Sequence, residues 1–223
     1  MMNYSAIILL GGKGTRFGGD INKVYYLINN KPLFCYPLEL FLNDPDCKEV
    51  IVVYNREDEE TITKILLNYP TVLKTIGGSQ RYQSVLEGLR LSTSEYVLVH
   101  DGARPNINSK MIEDLKEALS VSDAVSLGVA VSDTIKKVTE NGVETIARDS
   151  LYAIQTPQGA NRKILLEGLL NVKPEDNITD DLMVIEKYSN VIPKIVLGDK
   201  RNIKVTTKED YQYIKFLMGD KDV

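Results

Sequence analysis

Short apolar runs rich in valine and isoleucine recur along the chain at residues 5–10, 49–54, 71–76, 96–100 and 124–131. Runs of this length, bounded by turn-forming residues, read as buried strands. Between them, residues 33–42, 58–68, 82–91 and 110–119 carry apolar positions at helical spacing. Pro32 can open the first of these helices, and Pro37 inside it predicts a kink or a later start. Strands alternating with helices predict an α/β fold: a mostly parallel central sheet with helices on both faces. Ligands then bind outside the carboxyl ends of the strands.

One stretch breaks the rhythm. Residues 134–138 and 143–147 flank a turn containing Asn141-Gly142, a strong hairpin signal. A lone hairpin is marginal in water unless it packs on something. Its polar strands leave two readings level: a cover for a sheet edge, or an arm reaching a partner subunit.

The 223 residues, 43% of them hydrophobic, suffice for one core, and no repeat or linker divides residues 1–223. No run of 18 apolar residues suggests a membrane helix. The first residues lack the features of a signal peptide. Cys35 and Cys47 have no metal-type spacing, so the expected compartment is the reducing cytoplasm. A net charge of −4 argues against a nucleic-acid surface.

Chemistry concentrates after the first strand. Gly11, Gly12, Gly14, Gly18 and Gly19 are interleaved with Lys13 and Arg16, and Lys23 follows. Glycines let backbone N–H groups approach an anion, and the cations add full charge there. The loop lacks the Lys-Ser/Thr ending of a Walker loop, and Phe17 stands where a dinucleotide fingerprint needs glycine. A nucleotide's polyphosphate suits it better than a dinucleotide.

Further strand-end segments resemble site loops. Gly77-Gly78 precede a helix carrying Arg81 and Ser84 on one face. His100-Asp101-Gly102-Ala103-Arg104-Pro105 puts a carboxylate at the end of a central strand, where it could hold Mg²⁺ with substrate phosphates or pair with Arg104. His100, the single histidine, reads as a packing residue rather than a general base. Thr179 is expected to cap a helix whose positive end suits Asp180 and Asp181. Lys204 interrupts an apolar stretch at 202–206, read as a late strand, and must point at water or an anion.

Together these segments resemble the Rossmann-like nucleotidyltransferases, most closely the 2-C-methyl-D-erythritol 4-phosphate cytidylyltransferases. The resemblance rests on Gly-Gly-Lys-Gly-Thr-Arg at 11–16, Lys23, Gly-Gly at 77–78 with Arg81 and Ser84, and His-Asp-Gly-Ala-Arg-Pro at 100–105. Asp-Thr-Ile-Lys at 133–136, Thr-Pro-Gln at 156–158, Thr-Asp-Asp at 179–181 and Asn-Ile-Lys-Val-Thr at 202–206 extend it.

The resemblance implies that CTP and a sugar-alcohol phosphate give a CDP-alcohol and pyrophosphate, with Mg²⁺ or another divalent cation on Asp101. Leu10, Gly11, Gly12, Gly14, Gly78, Arg81 and Ser84 would bind the nucleotide. Arg16 and Lys23 would stabilise the transition state, while Lys204, Arg104, Thr134 and Arg148 would hold the acceptor phosphate. Thr134 and Arg148 would act from the hairpin arm at 133–148 across a homodimer. Gly159, Leu182 and Met183 depart from the family pattern and are expected near the acceptor. Asp199 could substitute for a second metal carboxylate. A ribitol-5-phosphate cytidylyltransferase is the nearest alternative, against which Ala103 counts. A non-catalytic nucleotide-binding protein on the same fold is the alternative of a different class.

Overall fold

The computed structural model describes residues 2–12, 17–18 and 21–220. Gly14 and Arg16 lie outside them, so the expectations placed on these two residues do too.

Strand β1 (Tyr4–Leu9) is buried along its whole length, because alternate side chains serve two cores. Ala6 and Ile8 join Leu38 and Phe41 of α1 (Cys35–Leu42), Ile62 of α2 (Glu59–Leu66) and Leu115 of α4 (Ser109–Leu119). Ile7 and Leu9 join the opposite core with Val85 and Leu89 of α3 (Arg81–Leu91), Leu165 of α5 (Arg162–Leu170) and Ile185 of α6 (Asp181–Tyr188). Helices therefore cover both faces of the sheet.

The remaining strands of this sheet are β4 (Cys47–Tyr54), β5 (Leu73–Ile76), β6 (Tyr96–Asp101), β7 (Ala124–Ala130), β10 (Tyr152–Asn161) and β11 (Lys194–Leu197). Their order is β11-β7-β10-β6-β1-β4-β5, with β10 antiparallel to both neighbours and the other pairs parallel. After β1 the chain winds to one side through β4 and β5, then crosses to β6 on the other. A crevice opens at such a reversal, outside the carboxyl ends of the strands.

Several expectations need correction. Residues 202–206 form no strand. They run irregularly, with the Val205 N–H donating to the Ala103 carbonyl at 2.9 Å. Their apolar pattern comes from a small third core, where Val205 joins Phe17, Ile28, Leu33 and Ile214, the last on α7 (Lys208–Leu217). Pro32 opens no helix: it belongs to β3 (Lys31–Pro32), paired with β2 (Leu27–Ile28) through Asn29 and Asn30, both at positive φ. Pro37 is the third residue of α1, where a missing N–H costs no intrahelical bond. Asp180, not Thr179, caps α6 by accepting from the Met183 N–H at 3.0 Å.

The hairpin comprises β8 (Ile135–Thr139) and β9 (Gly142–Ile146), closed by Glu140 and Asn141. Both strands stand almost wholly exposed.

Candidate active site

A cavity of about 810 Å³ lies at the crevice, walled by Gly11 and Gly12 after β1, Asn55 after β4, Gly77 and Gly78 after β5, and Asp101 at the end of β6. Arg81, Ser84 and Lys204 also line it. Gly11 and Gly12 after the first strand, the helix carrying Arg81 and the late segment carrying Lys204 thus meet in one space.

Gly77 and Gly78 allow α3 to start against this wall. A Cβ on Gly77 would stand 2.6 Å from Ser84 Oγ, and one on Gly78 would stand 2.4 Å from Gln83 Cβ. A side chain at Gly78 would displace the helix, and one at Gly77 would push aside the Ser84 hydroxyl. Ser84 is buried, its hydroxyl donating to the Gln80 carbonyl at 3.3 Å.

Three cations surround Asp101. Lys204 Nζ is 2.9 Å from Oδ2, Arg104 Nε 3.6 Å from Oδ2 and Arg81 Nε 3.7 Å from Oδ1. Burial alone would raise the Asp101 pKa, but Arg81, Lys204 and Arg104 outweigh it and hold the carboxyl well below the usual range. Asp101 is therefore ionised at neutral pH. Pairing with Arg104 is one of its contacts, and Lys204 is closer.

Arg81 gives its two terminal nitrogens to Asp181, at 2.8 Å each. Burial would lower the guanidinium pKa, but Asp181 and Asp101 outweigh it and raise it. Asp181 is held in turn by Gln158, whose Oε1 accepts the Asp181 N–H at 2.8 Å while its Nε2 donates to Asp180 at 3.0 Å.

His100 has no exposed surface, and burial pushes its imidazole down to about 4. A neutral ring beneath the strand end suits a structural part, as its packing role in the sequence suggested.

Other expected residues are not among those that line the cavity, although Leu10 and Lys23 directly adjoin lining residues. Leu10 is buried, its N–H donating to Val53 and its carbonyl accepting from Asn22. Lys23 opens a short 3₁₀ turn capped by Asn22, whose Nδ2 also reaches Asp58 at 3.2 Å. Sequence reading passed over Asn22, although a polar residue just before a helical turn is a capping signal. Thr134 and Arg148 sit on the exposed arm, where Arg148 donates to the Ser132 carbonyl.

Two of the three departures from the family pattern, Gly159 and Leu182, prove to be core features. Gly159 lies in β10, where a Cβ would stand 2.8 Å from Leu119, 2.9 Å from Leu98 and 3.0 Å from Val125. Leu182 is buried in the core beneath α6, and Met183 shares that helix. Asp199 is no second metal carboxylate of this cavity: Arg201 grips both its oxygens, at 3.1 and 3.0 Å from Nε, and it does not line the space.

Among the described residues no cluster of three carboxylate, histidine or cysteine side chains could hold a metal. Asp101 nevertheless fits a divalent cation that brings its other ligands with it, because Arg81 Nε stands 3.7 Å from Oδ1, beyond hydrogen-bond distance. No helix of the described residues is long and apolar enough to cross a membrane.

Comparison with known proteins agrees with this geometry. A relative from Bacillus mycoides, named 2-C-methyl-D-erythritol 4-phosphate cytidylyltransferase, is 40% identical over 93% of this chain and 94% of its own. The crystal structure of 4-diphosphocytidyl-2C-methyl-D-erythritol synthase from Anaerococcus prevotii superposes with a TM-score of 0.86 at 30% identity, covering 98% of this chain and 96% of that one. The Francisella tularensis 2-C-methyl-D-erythritol 4-phosphate cytidylyltransferase gives 0.81 at 30% identity, over 96% and 99%. With the family model matching residues 4–220 as well, the chain belongs to the 2-C-methyl-D-erythritol 4-phosphate cytidylyltransferase family.

Proposed function

We propose that the protein transfers the cytidylyl group of CTP to 2-C-methyl-D-erythritol 4-phosphate, giving the CDP-alcohol and pyrophosphate. The acceptor's phosphate oxygen attacks the α-phosphorus in line, and pyrophosphate departs with the electron pair of the broken P–O bond. No protein nucleophile or base is needed, since the attacking oxygen is already anionic. Positioning and charge stabilisation carry the reaction.

The observation that carries this reading is the Lys204–Asp101 contact of 2.9 Å inside the cavity that the glycine loops line. It brings a phosphate-binding cation and a carboxylate to one point beside Gly11, Gly12 and Gly78. The triphosphate lies along the first loop and the base against Gly78 and Ser84, where the closeness of α3 leaves room for a pyrimidine. With both terminal nitrogens on Asp181, Arg81 acts chiefly as a charge beside Asp101. Lys204 and Arg104 receive the acceptor phosphate, and Arg16 and Lys23 stabilise charge developing on the transferred phosphorus. Asp101 would hold a magnesium ion, which when bound neutralises phosphate charge.

The second copy of the chain is the proposed partner of the arm. Tyr152, Ile154 and Ile195 surround Gly128 and are 44%, 36% and 40% exposed, an apolar face beside the hairpin. A homodimer covering this face would bring Thr134 and Arg148 into the neighbouring cavity. The cytoplasm, where CTP is made, is the proposed location.

The test is pyrophosphate release by the purified protein from CTP and Mg²⁺. Release is expected with 2-C-methyl-D-erythritol 4-phosphate and not with D-ribitol 5-phosphate. Release with ribitol phosphate alone would reassign the acceptor, and release with neither would overturn the transferase reading.

A further inference from the structure

Beneath the three charged residues of the acceptor side runs a closed circuit of buried hydrogen bonds that touches no cavity wall except through Asp101. The Asp101 N–H donates to Thr156 Oγ1 at 3.0 Å. Thr156 Oγ1 lies 3.0 Å from His100 Nδ1, and His100 Nε2 lies 3.0 Å from the Arg104 carbonyl. Arg104 Nη1 donates to the Asn202 carbonyl at 2.8 Å, and Asn202 Nδ2 donates to the Thr156 carbonyl at 3.0 Å. His100 and Asn202 are fully buried and Thr156 is 5% exposed.

The circuit has one consistent direction. A carbonyl only accepts, so His100 Nε2 carries the hydrogen and donates to Arg104. In a neutral imidazole Nδ1 then accepts, and the donor must be the Thr156 hydroxyl. That hydroxyl oxygen remains free to accept from Asp101. Each residue thus has one assigned role, and a side chain lacking the hydroxyl would strand both the Asp101 N–H and His100 Nδ1 without partners.

From this geometry we infer that His100 and Thr156 are positioning residues: they lock the 101–104 turn to the segment carrying Lys204, and so set Asp101, Arg104 and Lys204 around one acceptor site. Two further bonds tighten the same join. Val205 N–H donates to Ala103 at 2.9 Å, and Gln155 Nε2 donates to Asn202 at 3.2 Å. Misplacing reacting groups by about 1 Å can cost on the order of a hundredfold in rate, so a buried join of this kind bears directly on turnover. The inference rests on the acceptor assignment proposed above. A Lys204→Ala control separates the two: an unchanged acceptor KM there would remove that assignment without touching the circuit.

The test has two arms. Because His100 is the single histidine, long-range ¹H–¹⁵N correlation of the intact protein at pH 7 reports one imidazole. The expected spectrum is the neutral form with hydrogen on Nε2, and hydrogen on Nδ1 instead would overturn the circuit. In the second arm, Thr156→Val is expected to lower kcat/KM for the acceptor by roughly ten- to a hundredfold. The KM for CTP should stay within about twofold, and Thr156→Ser, which keeps the hydroxyl, should recover most of the loss. A folded Thr156→Val protein with unchanged acceptor kinetics would refute the positioning role, as would an equal loss in Thr156→Ser. Should Thr156→Val fail to fold, the spectrum and the serine variant still decide.

Discussion

Arg81 and Asp181 meet through two parallel hydrogen bonds of 2.8 Å across a separation of 100 residues. The pair pins the start of α3 to the start of α6, and its carboxylate side is 3% exposed. Removing one partner of a buried pair leaves the other charge uncompensated, which is more costly than the pair itself is favourable. Asp181→Asn is expected to destabilise the fold by about 3 kcal/mol, read from the urea midpoint. It should also raise the KM for CTP, because the released Arg81 would no longer hold its place beside Asp101.

Lys204 Nζ is the closest of the three cations to Asp101 and is 43% exposed at the cavity. Lys204→Ala is expected to reduce kcat/KM for the acceptor phosphate by on the order of 10²–10³, with the urea midpoint little changed. Steady-state pyrophosphate release at saturating CTP measures the first quantity. An effect confined to CTP would move Lys204 to the nucleotide side.

The contrast between these two pairs marks what the amino-acid order makes legible. The strand runs around Ile7, Ile51 and Val99 announce themselves because a strand buried on both faces must be apolar at every position. Strand β10 hides because its run Gln155-Thr156-Pro157-Gln158-Gly159 spends polar side chains on buried hydrogen bonds and carries two residues that usually mark turns. Residues 202–206 mislead in the other direction: one buried valine in a small core imitates a strand. Asp101, Arg81 and Ser84 could be singled out because glycines and turns accompany them, and Lys204 because a cation interrupts an apolar stretch. The partner of Arg81 could not, since Asp181 is explained locally by its place at a helix start.

Gly159 offers a test of a core role against an acceptor role. Any Cβ there would press within 3.0 Å of Leu119, Leu98 and Val125. Gly159→Ala is expected to cost about 1–3 kcal/mol of stability through overpacking. Acceptor KM for the folded enzyme should stay unchanged. Thermal melting and steady-state kinetics on the same preparation measure both.

His100 should make stability depend on pH. Burial takes its imidazole down to about 4 from an ordinary value of 6.5. Between those values the unfolded chain binds more protons than the folded one, so stability rises with pH. The contribution is complete above about 6.5 and is lost as pH falls through about 4. From pH 7 to pH 5 the loss attributable to this group is about 2 kcal/mol. Urea unfolding with EDTA present should reveal it, and His100→Gln should show a correspondingly shallower slope. Equal slopes in the two proteins would mean that the ring protonates in place.

If the arm of one protomer completes the neighbour's site, two different defects should rescue one another. Arg148→Ala would disable the arm but leave its own cavity intact, and Lys204→Ala would disable a cavity but leave its arm intact. A mixed dimer then pairs the intact arm of the Lys204→Ala chain with the intact cavity of the Arg148→Ala chain, giving one competent site. Each variant alone is expected to lose about 10²-fold or more in acceptor kcat/KM. Co-expression should restore activity far above the sum of the two, with the doubly tagged dimer carrying it. Restoration depends on exchange of whole protomers, so it should vanish when Ile154→Asp, placed on the exposed apolar face in both chains, drives the protein to monomers in sedimentation. Activity that follows the simple average of the two parents would confine every functional group to a single chain.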